Sequence, residues 1–276
     1  MSAVARQRLD RALVDRGLVP SRQAAISAIE TGRVLVGGTV ADKPARQVAA
    51  ADPIRLIGEG PRYVSRGGQK LERGLRSFSV AVSEVTAVDA GSATGGFTDC
   101  LLQAGAGRVV AVDVGYGQLH ERLRSDRRVL SMERTNVRDL DRSAVADLVA
   151  PSPPPTLVTA DLSFTSLRPL VPVLLDLAGP DGELVVLCKP QFEVGREVAA
   201  RGRGVVRERS DRREALVGVI GTFEGAGATI MGVVSSPVLG PAGNAEFLLH
   251  ARRGHPASAD LLGQIERALD EVEALA

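Results

Sequence analysis

Several residue types are scarce in this sequence, and each shortage excludes a class of protein. Tryptophan is absent, and the aromatic residues together make up only 3% of the 276 residues. The two cysteines, Cys100 and Cys188, cannot build a disulfide framework, which fits a reducing compartment. None of the three histidines stands at a metal-ligand spacing from a cysteine, so we expect no metal site.

Long apolar runs are also absent. No stretch approaches the ~18 consecutive apolar residues of a membrane-spanning helix, and residues 1–11 contain no apolar signal-peptide core. We therefore expect a cytoplasmic protein without membrane contact. With 44% hydrophobic and 24% charged residues the composition is that of a globular protein, and the length allows more than one domain.

Lysine is rare as well, because the 34 basic residues include only three lysines, Lys43, Lys70 and Lys189. A lysine amine can lose its proton in a desolvated site, whereas an arginine guanidinium effectively cannot, so these positions are candidates for chemistry. The basic residues are also unevenly placed. Residues 1–80 hold 14 basic and 7 acidic residues, which leaves 20 basic and 26 acidic residues for the other 196. The basic N-terminal part predicts an anionic partner.

The N-terminal part, residues 8–57, predicts a small α+β unit. Leu9, Ala12 and Leu13 form the apolar stripe of a first helix. Ser21 is a good N-cap for a second helix that follows directly. Short strands are expected over residues 33–36, 39–40 and 54–57.

Arginines on such a small scaffold can follow the phosphate backbone of RNA, whose duplexes are read mostly by shape and backbone contacts. The runs RLDRALVDRGL (8–18) and SRQAAISAIETGRVLVGG (21–38) resemble the S4 RNA-binding domain. Under this interpretation the segment binds RNA through Arg8, Arg11, Arg22 and Arg33. A helical hairpin that docks onto another protein is the alternative.

After Pro61 the pattern changes to apolar strands that alternate with helices. Continuous apolar runs are typical of parallel strands buried on both faces, so we expect an α/β fold with a doubly wound, Rossmann-like sheet. Strands are expected over residues 85–89, 108–112, 156–160 and 184–188, and a final hairpin over 229–234 and 246–251. Ligands of such sheets bind beyond the carboxyl ends of the strands, where we find Gly91, Asp113, Asp161 and Lys189.

The turn after the first of these strands, residues 91–96, contains only small residues. Its glycines lack the spacing of the dinucleotide fingerprint GxGxxG, and the chain has no GK[ST] phosphate loop. Such a turn lets an adenosyl ligand without phosphates approach the backbone. Asp113, 24 residues after Asp89, stands where an acid accepts hydrogen bonds from ribose hydroxyls. The combination favours S-adenosyl-L-methionine over a nicotinamide cofactor.

Lys70, Asp161, Lys189 and Glu246 are distant in sequence but belong to elements that border the same predicted cleft. With their surroundings they resemble the FtsJ-type ribose methyltransferases, whose catalytic set is Lys-Asp-Lys-Glu. The whole chain is identified as a member of the TlyA (haemolysin A) family. The motifs that carry this resemblance are YVSRGGQKL (63–71), DAGSATGGFTDCLL (89–102), VAVDVGYGQL (110–119), ERTNVRDL (133–140), ADLSF (160–164), KPQFEVGRE (189–197) and GPAGNAEFLLH (240–250).

The resemblance implies roles for individual residues. The implied catalytic residues are Lys70, Asp161, Lys189 and Glu246. The implied cofactor contacts are Asp89, Gly91, Ser92, Ala93, Thr94, Gly95, Gly96, Phe97, Asp113, Asn136 and Asp161. Beyond the S4 arginines, RNA contacts are expected from Arg66, Arg196, Arg201 and Arg203. The last three lie in a basic segment, residues 196–213, which we expect to be a mobile loop beside the cleft; a solvated loop without RNA contact is the alternative.

The chemistry of a ribose 2′-hydroxyl suits these residues. This hydroxyl is a poor nucleophile that gives up its proton reluctantly, so a site must favour its alkoxide. A lysine held against the hydroxyl stabilises the developing negative charge or accepts the proton. We expect Lys189 to do this, with Asp161 as its orienting partner, and Lys70 with Glu246 to hold the ribose and phosphate.

The resemblance therefore implies 2′-O-methylation of cytidine in 23S rRNA. Extensions at both ends of the chain are similar to those of longer family members and favour 16S rRNA as a second target, whereas the linker residues 61–64 are more similar to those of the shorter members. The chain divides into an S4-like domain (1–59), a linker (60–64), a methyltransferase domain (65–254) and a C-terminal helix (255–276). The expected partner of this monomer is ribosomal RNA within ribosomal subunits. The main alternative is a non-catalytic, RNA-binding assembly factor that retains the methyltransferase fold.

Overall fold

The structure is a computed structural model that describes residues 6–30, 32–58 and 60–274. It divides into two compact units, Met1–Arg62 and Tyr63–Ala276. Each unit buries apolar residues in a core of its own.

The described residues of the N-terminal unit form two helices and five short strands. They are β1 (Arg6–Arg8), α1 (Leu9–Asp15), α2 (Arg22–Glu30), β2 (Val34–Val36), β3 (Thr39–Val40), β4 (Gln47–Ala49) and β5 (Ile54–Leu56). β2 is the centre of a three-stranded antiparallel sheet, and β1 pairs with β4 separately. The predicted helices and the three predicted strands are confirmed. The sequence does not predict β1 and β4, because three residues carry no recognisable alternation.

Local chemistry sets the limits of the two helices. Gly17, at φ +67°, terminates the turn after α1, a conformation that glycine adopts without strain. The Ser21 hydroxyl accepts a hydrogen bond of 3.2 Å from the Ala24 backbone N–H, so the predicted N-cap of α2 is confirmed. Leu9 and Leu13 are fully buried against α2 and the strands, which makes the first helix part of the core.

A seven-stranded sheet forms the centre of the second unit. Its strands are β6 (Thr86–Ala90), β7 (Arg108–Val112), β8 (Val129–Met132), β9 (Leu157–Ala160), β10 (Glu183–Cys188), β11 (Ala228–Ser235) and β12 (Phe247–Arg253). They are arranged in the order β11-β12-β10-β9-β6-β7-β8. β6 to β10 are parallel, and β12 is antiparallel to both β10 and β11. The predicted doubly wound sheet and its final hairpin are confirmed, and β8 is an edge strand that the sequence does not predict.

Helices cover both faces of this sheet. They are α3 (Gly67–Ser77), α4 (Gly96–Gln103), α5 (Glu121–Arg124), α6 (Arg142–Val149), α7 (Val171–Ala178), α8 (Pro190–Glu193), α9 (Arg196–Arg201), α10 (Arg209–Gly225) and α11 (Leu261–Glu273), with 3-10 turns at Val137–Asp139 and Arg168–Leu170. Apolar residues of α3, α4 and α5 fill one cluster, and those of α6, α7, α10 and α11 fill the other. Among the described helices, none is long and apolar enough to cross a bilayer.

The basic segment 196–213 is not the loop that the sequence predicts. α9 and the first turn of α10 occupy most of it, because α10 continues into residues such as Leu216 and Phe223 that are fully buried. The remaining turn is held by the buried Asn244. Its side-chain amide donates to the Gly204 carbonyl over 2.8 Å, and its side-chain oxygen accepts from the Val206 N–H over 2.9 Å.

Candidate active site

Three of the predicted catalytic residues follow from the strand register at the carboxyl edge of the sheet. Ala160, the last residue of β9, pairs with Val186 of β10. Cys188, the last residue of β10, pairs with the first residue of β12, Phe247. Asp161, Lys189 and Glu246 are therefore the next residues at the same edge of three adjacent strands, which lie ~4.8 Å apart.

These residues and Lys70 form two lysine–carboxylate pairs. Lys189 Nζ lies 2.6 Å from Asp161 Oδ1, and Lys70 Nζ lies 2.5 Å from Glu246 Oε2. Lys189 also donates a hydrogen bond of 2.8 Å to the Ser163 hydroxyl. Both lysines are 7% exposed and Glu246 is 2% exposed, so each charge has left most of its water and depends on its partner.

Glycines allow close packing around the start of the helix that carries Lys70. A Cβ atom at Gly68 would lie 2.1 Å from the Tyr63 ring, and one at Gly96 would lie 2.2 Å from Ser65 Oγ. Gly68 therefore lets α3 pack on Tyr63, and Gly96 lets the first turn of α4 approach the start of α3. A Cβ at Gly240 would lie 2.7 Å from Glu246 Oε1, so this glycine leaves the space that the carboxylate needs.

The small-residue turn after β6 leaves its backbone accessible. Gly91 has φ +83°, and a Cβ there would lie 2.7 Å from the Asp161 carbonyl oxygen. The Asp113 carboxylate fixes the turn, because it accepts hydrogen bonds from the Ala93 N–H over 2.9 Å and the Gly115 N–H over 2.7 Å. Ala93 and Thr94 are exposed, whereas the other members of the turn, Ser92, Gly95 and Gly96, are buried.

Asp89 and Phe97, for which we predict cofactor contacts, lie beneath this turn. The Asp89 carboxyl has no exposed surface and accepts hydrogen bonds from Thr98 Oγ1 over 2.6 Å and Thr159 Oγ1 over 3.3 Å. Burial, with a smaller effect of the nearby Asp161 carboxylate, raises the pKa of Asp89 to about 7. The Phe97 ring is 2% exposed within the core. Both side chains therefore support the turn from below and present no surface to a ligand in the cleft.

Asn136, another predicted cofactor contact, lies at the exposed end of the segment after β8. Its side-chain oxygen accepts a hydrogen bond of 3.1 Å from the Arg138 N–H and so caps a short 3-10 turn. No group of three or more His, Cys, Asp or Glu side chains in the described part of the chain is placed to hold a metal ion.

An exposed aromatic residue beside the lysine–carboxylate pairs is missed by the sequence analysis. Phe164 is 93% exposed and adopts φ +63°, immediately after the Ser163 that contacts Lys189. The buried Glu193 holds the following segment by accepting hydrogen bonds from Ser166 Oγ over 2.6 Å and the Leu167 N–H over 2.7 Å. An aromatic residue three positions after a strand-end acid is the signal that could have identified it.

The arginines predicted to bind RNA occupy different environments. In the N-terminal unit, Arg8 and Arg22 both bind the carboxylate of Asp10, and Arg11 pairs with Asp15 at 3.6 Å. The half-buried Arg33 has an Nε atom without a hydrogen-bond partner among the described residues.

In the second unit, Arg66 and Arg203 are exposed, and Arg201 lies 3.4 Å from Asp211. The side chain of Arg196 lies outside the described part of the structure.

Comparison with known proteins identifies relatives of both units. The sequence model of FtsJ-like methyltransferases matches residues 63–253, and that of the S4 domain matches residues 7–54. The chain is 43% identical to the 16S/23S rRNA (cytidine-2′-O)-methyltransferase TlyA of Mycobacterium tuberculosis over 248 residues, 90% of each chain. It is 44% identical to YqxC of Bacillus subtilis, named as a candidate rRNA methyltransferase, over 245 residues that cover 89% of this chain and 85% of YqxC. A solved structure of a candidate hemolysin from Streptococcus thermophilus has a TM-score of 0.75 and 36% identity, and the alignment covers 99% of this chain and 97% of that one.

Proposed function

Because the chain belongs to the FtsJ-like methyltransferase family, we propose that it methylates the ribose 2′-oxygen of cytidine in ribosomal RNA. S-adenosyl-L-methionine is the proposed methyl donor. The observation that carries this proposal is the pair of buried lysine–carboxylate contacts, Lys189–Asp161 and Lys70–Glu246, at one edge of the sheet. Two lysines held in this way can stabilise negative charge on an oxygen, which is what a ribose nucleophile requires.

The turn after β6 fits an adenosyl ligand. At Gly91 a side chain would collide with the Asp161 carbonyl, so glycine is required where the turn packs against the end of β9. We assign the exposed edge of the turn, Gly91, Ala93 and Thr94, to contact the ligand, and Asp113 to accept hydrogen bonds from its ribose. When bound, S-adenosyl-L-methionine supplies an electrophilic methyl group on a positively charged sulfur.

Lys189 is the residue that acts on the 2′-hydroxyl in this proposal. The Lys189 ammonium forms an ion pair with Asp161 and donates a hydrogen bond to Ser163, and we assign a further N–H of the same group to the substrate oxygen. These two contacts fix the direction of the ammonium group. Lys189 then stabilises negative charge on the 2′-oxygen as the hydroxyl proton passes to solvent, and positioning supplies much of the acceleration.

The second pair and the exposed ring are assigned to the nucleotide itself. Lys70 is held by Glu246 and contacts the ribose and its phosphate. Phe164 offers a flat apolar surface next to Ser163, on which a base removed from its stack can lie. Stacking of a base on an aromatic ring contributes ~1–3 kcal/mol, enough to offset part of the cost of unstacking.

The two units divide the work. Residues 1–59 bind RNA, residues 65–254 carry the reaction, residues 60–64 link them, and residues 255–276 add a C-terminal helix. The match of residues 7–54 to the sequence model of the S4 domain supports an RNA substrate. The name of the Mycobacterium tuberculosis relative covers both 16S and 23S rRNA, which supports both subunits as targets. Ribosomal subunits place the reaction in the cytoplasm, and a monomer suffices because one chain supplies every proposed catalytic residue.

Methyl transfer to isolated ribosomal subunits tests this proposal. Unmodified small and large subunits are incubated with labelled S-adenosyl-L-methionine, and the labelled nucleotide is mapped. We expect label in 2′-O-methylcytidine. Lys189→Arg keeps the charge but changes the geometry, and we expect it to lower the rate by a factor of about 10² to 10⁴ while cofactor affinity is unchanged.

Lys43→Arg is the matched control, because Lys43 is an exposed lysine of the N-terminal unit. This variant should retain the wild-type rate. Full activity of Lys189→Arg would remove Lys189 from the mechanism. Cofactor binding without label on either subunit would support the non-catalytic assembly factor instead.

A further inference from the structure

The N-terminal unit contains a fully buried carboxylate, that of Asp10 at the start of α1. Arg8 binds both of its oxygens, with Nε 3.0 Å from Oδ1 and a terminal nitrogen 2.9 Å from Oδ2. Arg22 Nε donates to Oδ2 over 3.0 Å, and the Arg11 backbone N–H donates to Oδ1 over 3.0 Å. A single buried acid therefore binds two arginines that are far apart in sequence.

This arrangement has more positive charge than the carboxylate needs. One bidentate arginine already gives a buried carboxylate a strong partner. The Arg8 guanidinium, followed by the Arg22 contact, lowers the pKa of Asp10 to about 2, so the group is ionised at neutral pH. Two cations and one anion leave a net positive charge on the surface of the unit.

Both guanidinium groups remain accessible. The side chains of Arg8 and Arg22 are 45% and 67% exposed, whereas that of Asp10 is not exposed at all. Within the described residues, the other N–H groups of the two arginines have no partner in the protein. A guanidinium is planar, so binding Asp10 through one edge fixes the direction in which the remaining donors face.

We propose that Asp10 is a positioning residue, which holds Arg8 and Arg22 as a preformed pair of donors for a phosphate group of the RNA backbone. This inference rests on the proposed function, because it takes ribosomal RNA as the ligand. Free arginine side chains lose rotamer freedom when they bind a phosphate. Arginine side chains that Asp10 already holds lose less rotamer freedom on binding. The chain therefore binds RNA more tightly than it would if these arginines were free.

Asp10→Asn distinguishes a positioning role from a purely electrostatic one, because the two roles predict opposite changes in RNA affinity. Removal of a negative charge beside an RNA backbone tightens binding if only charge matters. If Asp10 positions the arginines, affinity for unmodified large subunits falls about tenfold. Binding of the full-length chain is measured together with methyl transfer, and we expect KM to rise with kcat at saturating subunits unchanged.

Asp15→Asn is the matched control for charge. Asp15 lies on the same helix, its side chain is 50% exposed, and it pairs only loosely with Arg11 at 3.6 Å. This variant should bind RNA as tightly as the wild type or more tightly. Asp10→Asn is also combined with Arg8→Ala and Arg22→Ala, where it should cause no further loss. A further loss in that background would mean that Asp10 is merely structural.

Arg8→Lys tests the same idea without removing the buried acid. A lysine keeps the charge but cannot bind both oxygens of Asp10, so affinity should fall about tenfold. If thermal unfolding shows that Asp10→Asn is not folded, the Arg8→Lys variant decides whether Asp10 positions the arginines. If Arg8→Lys, or a folded Asp10→Asn, binds RNA as tightly as the wild type, the inference is overturned. The proposed function still stands in that case, provided that the wild type transfers methyl groups. Absence of both binding and methyl transfer in the wild type would instead refute the proposed function.

Discussion

Asp89→Asn should stabilise the second unit at neutral and alkaline pH. In the unfolded chain Asp89 has the ordinary aspartate pKa of 3.8, whereas burial, with a smaller effect of the Asp161 carboxylate, raises its pKa to about 7 in the folded protein. Folding therefore favours the protonated carboxyl. The stability that this group contributes is present below pH ~4 and is lost as the pH rises towards 7.

The size of this effect follows from the two pKa values. A change from 3.8 to about 7 corresponds to about 4 kcal/mol of unfolding free energy. Between pH 5 and pH 8 the wild type loses about 2–3 kcal/mol of unfolding free energy, because part of the total loss has already occurred at pH 5. An asparagine fills the same space, can still hydrogen-bond Thr98 and Thr159, and carries no charge at any pH. The advantage of the variant over the wild type should therefore grow by this amount across the range.

Urea unfolding followed by far-ultraviolet circular dichroism measures this difference. Wild type and Asp89→Asn are compared at pH 5, 6, 7 and 8 without cofactor, and other titrating groups cancel in the difference. Asp147→Asn is the control, since Asp147 is an exposed carboxylate of the same unit. An advantage of Asp89→Asn that stays constant from pH 5 to pH 8 would refute the assignment of a protonated carboxyl beneath the cofactor turn.

Two further predictions concern residues around the cleft. Phe164→Ala should lower methyl transfer about tenfold through loss of base stacking, with unchanged cofactor binding, while Phe164→Tyr retains the wild-type rate; equal rates in all three would exclude stacking. Gly91→Ala should weaken cofactor binding and destabilise the protein by more than the ~1–2 kcal/mol of a positive φ angle alone, because the added Cβ would lie 2.7 Å from the Asp161 carbonyl. Gly117 also has a positive φ angle, +70°, but open space around it, so Gly117→Ala should lower the stability only by the cost of the positive φ angle. Thermal unfolding measures the stability of both variants, and calorimetric titration measures their cofactor affinity.

Sequence alone determined the fold class and most of the helices and strands that build the two units. The runs 85–89, 108–112, 156–160 and 184–188 predict parallel strands because a strand buried on both faces must be apolar along its length. Ser21 predicts the start of the second helix because a cap depends on local chemistry. The motifs around Lys70 and Lys189 imply a methyltransferase through their resemblance to the FtsJ-type enzymes. Each of these signals acts within about ten residues of the chain.

Tertiary structure decided which side chains meet and which remain accessible. Lys189 pairs with Asp161, and Glu246 lies at the neighbouring strand end, because the order and register of β9, β10 and β12 bring those positions together, and no local pattern encodes an order of strands. Lys70 reaches Glu246 from α3, which packs against β10 and β12. The same packing buries Asp89 beneath the turn and leaves Phe164 exposed, although both residues flank strand ends. It also joins Arg8 and Arg22 on Asp10, because burial makes a carboxylate bind whichever cations the fold brings within reach.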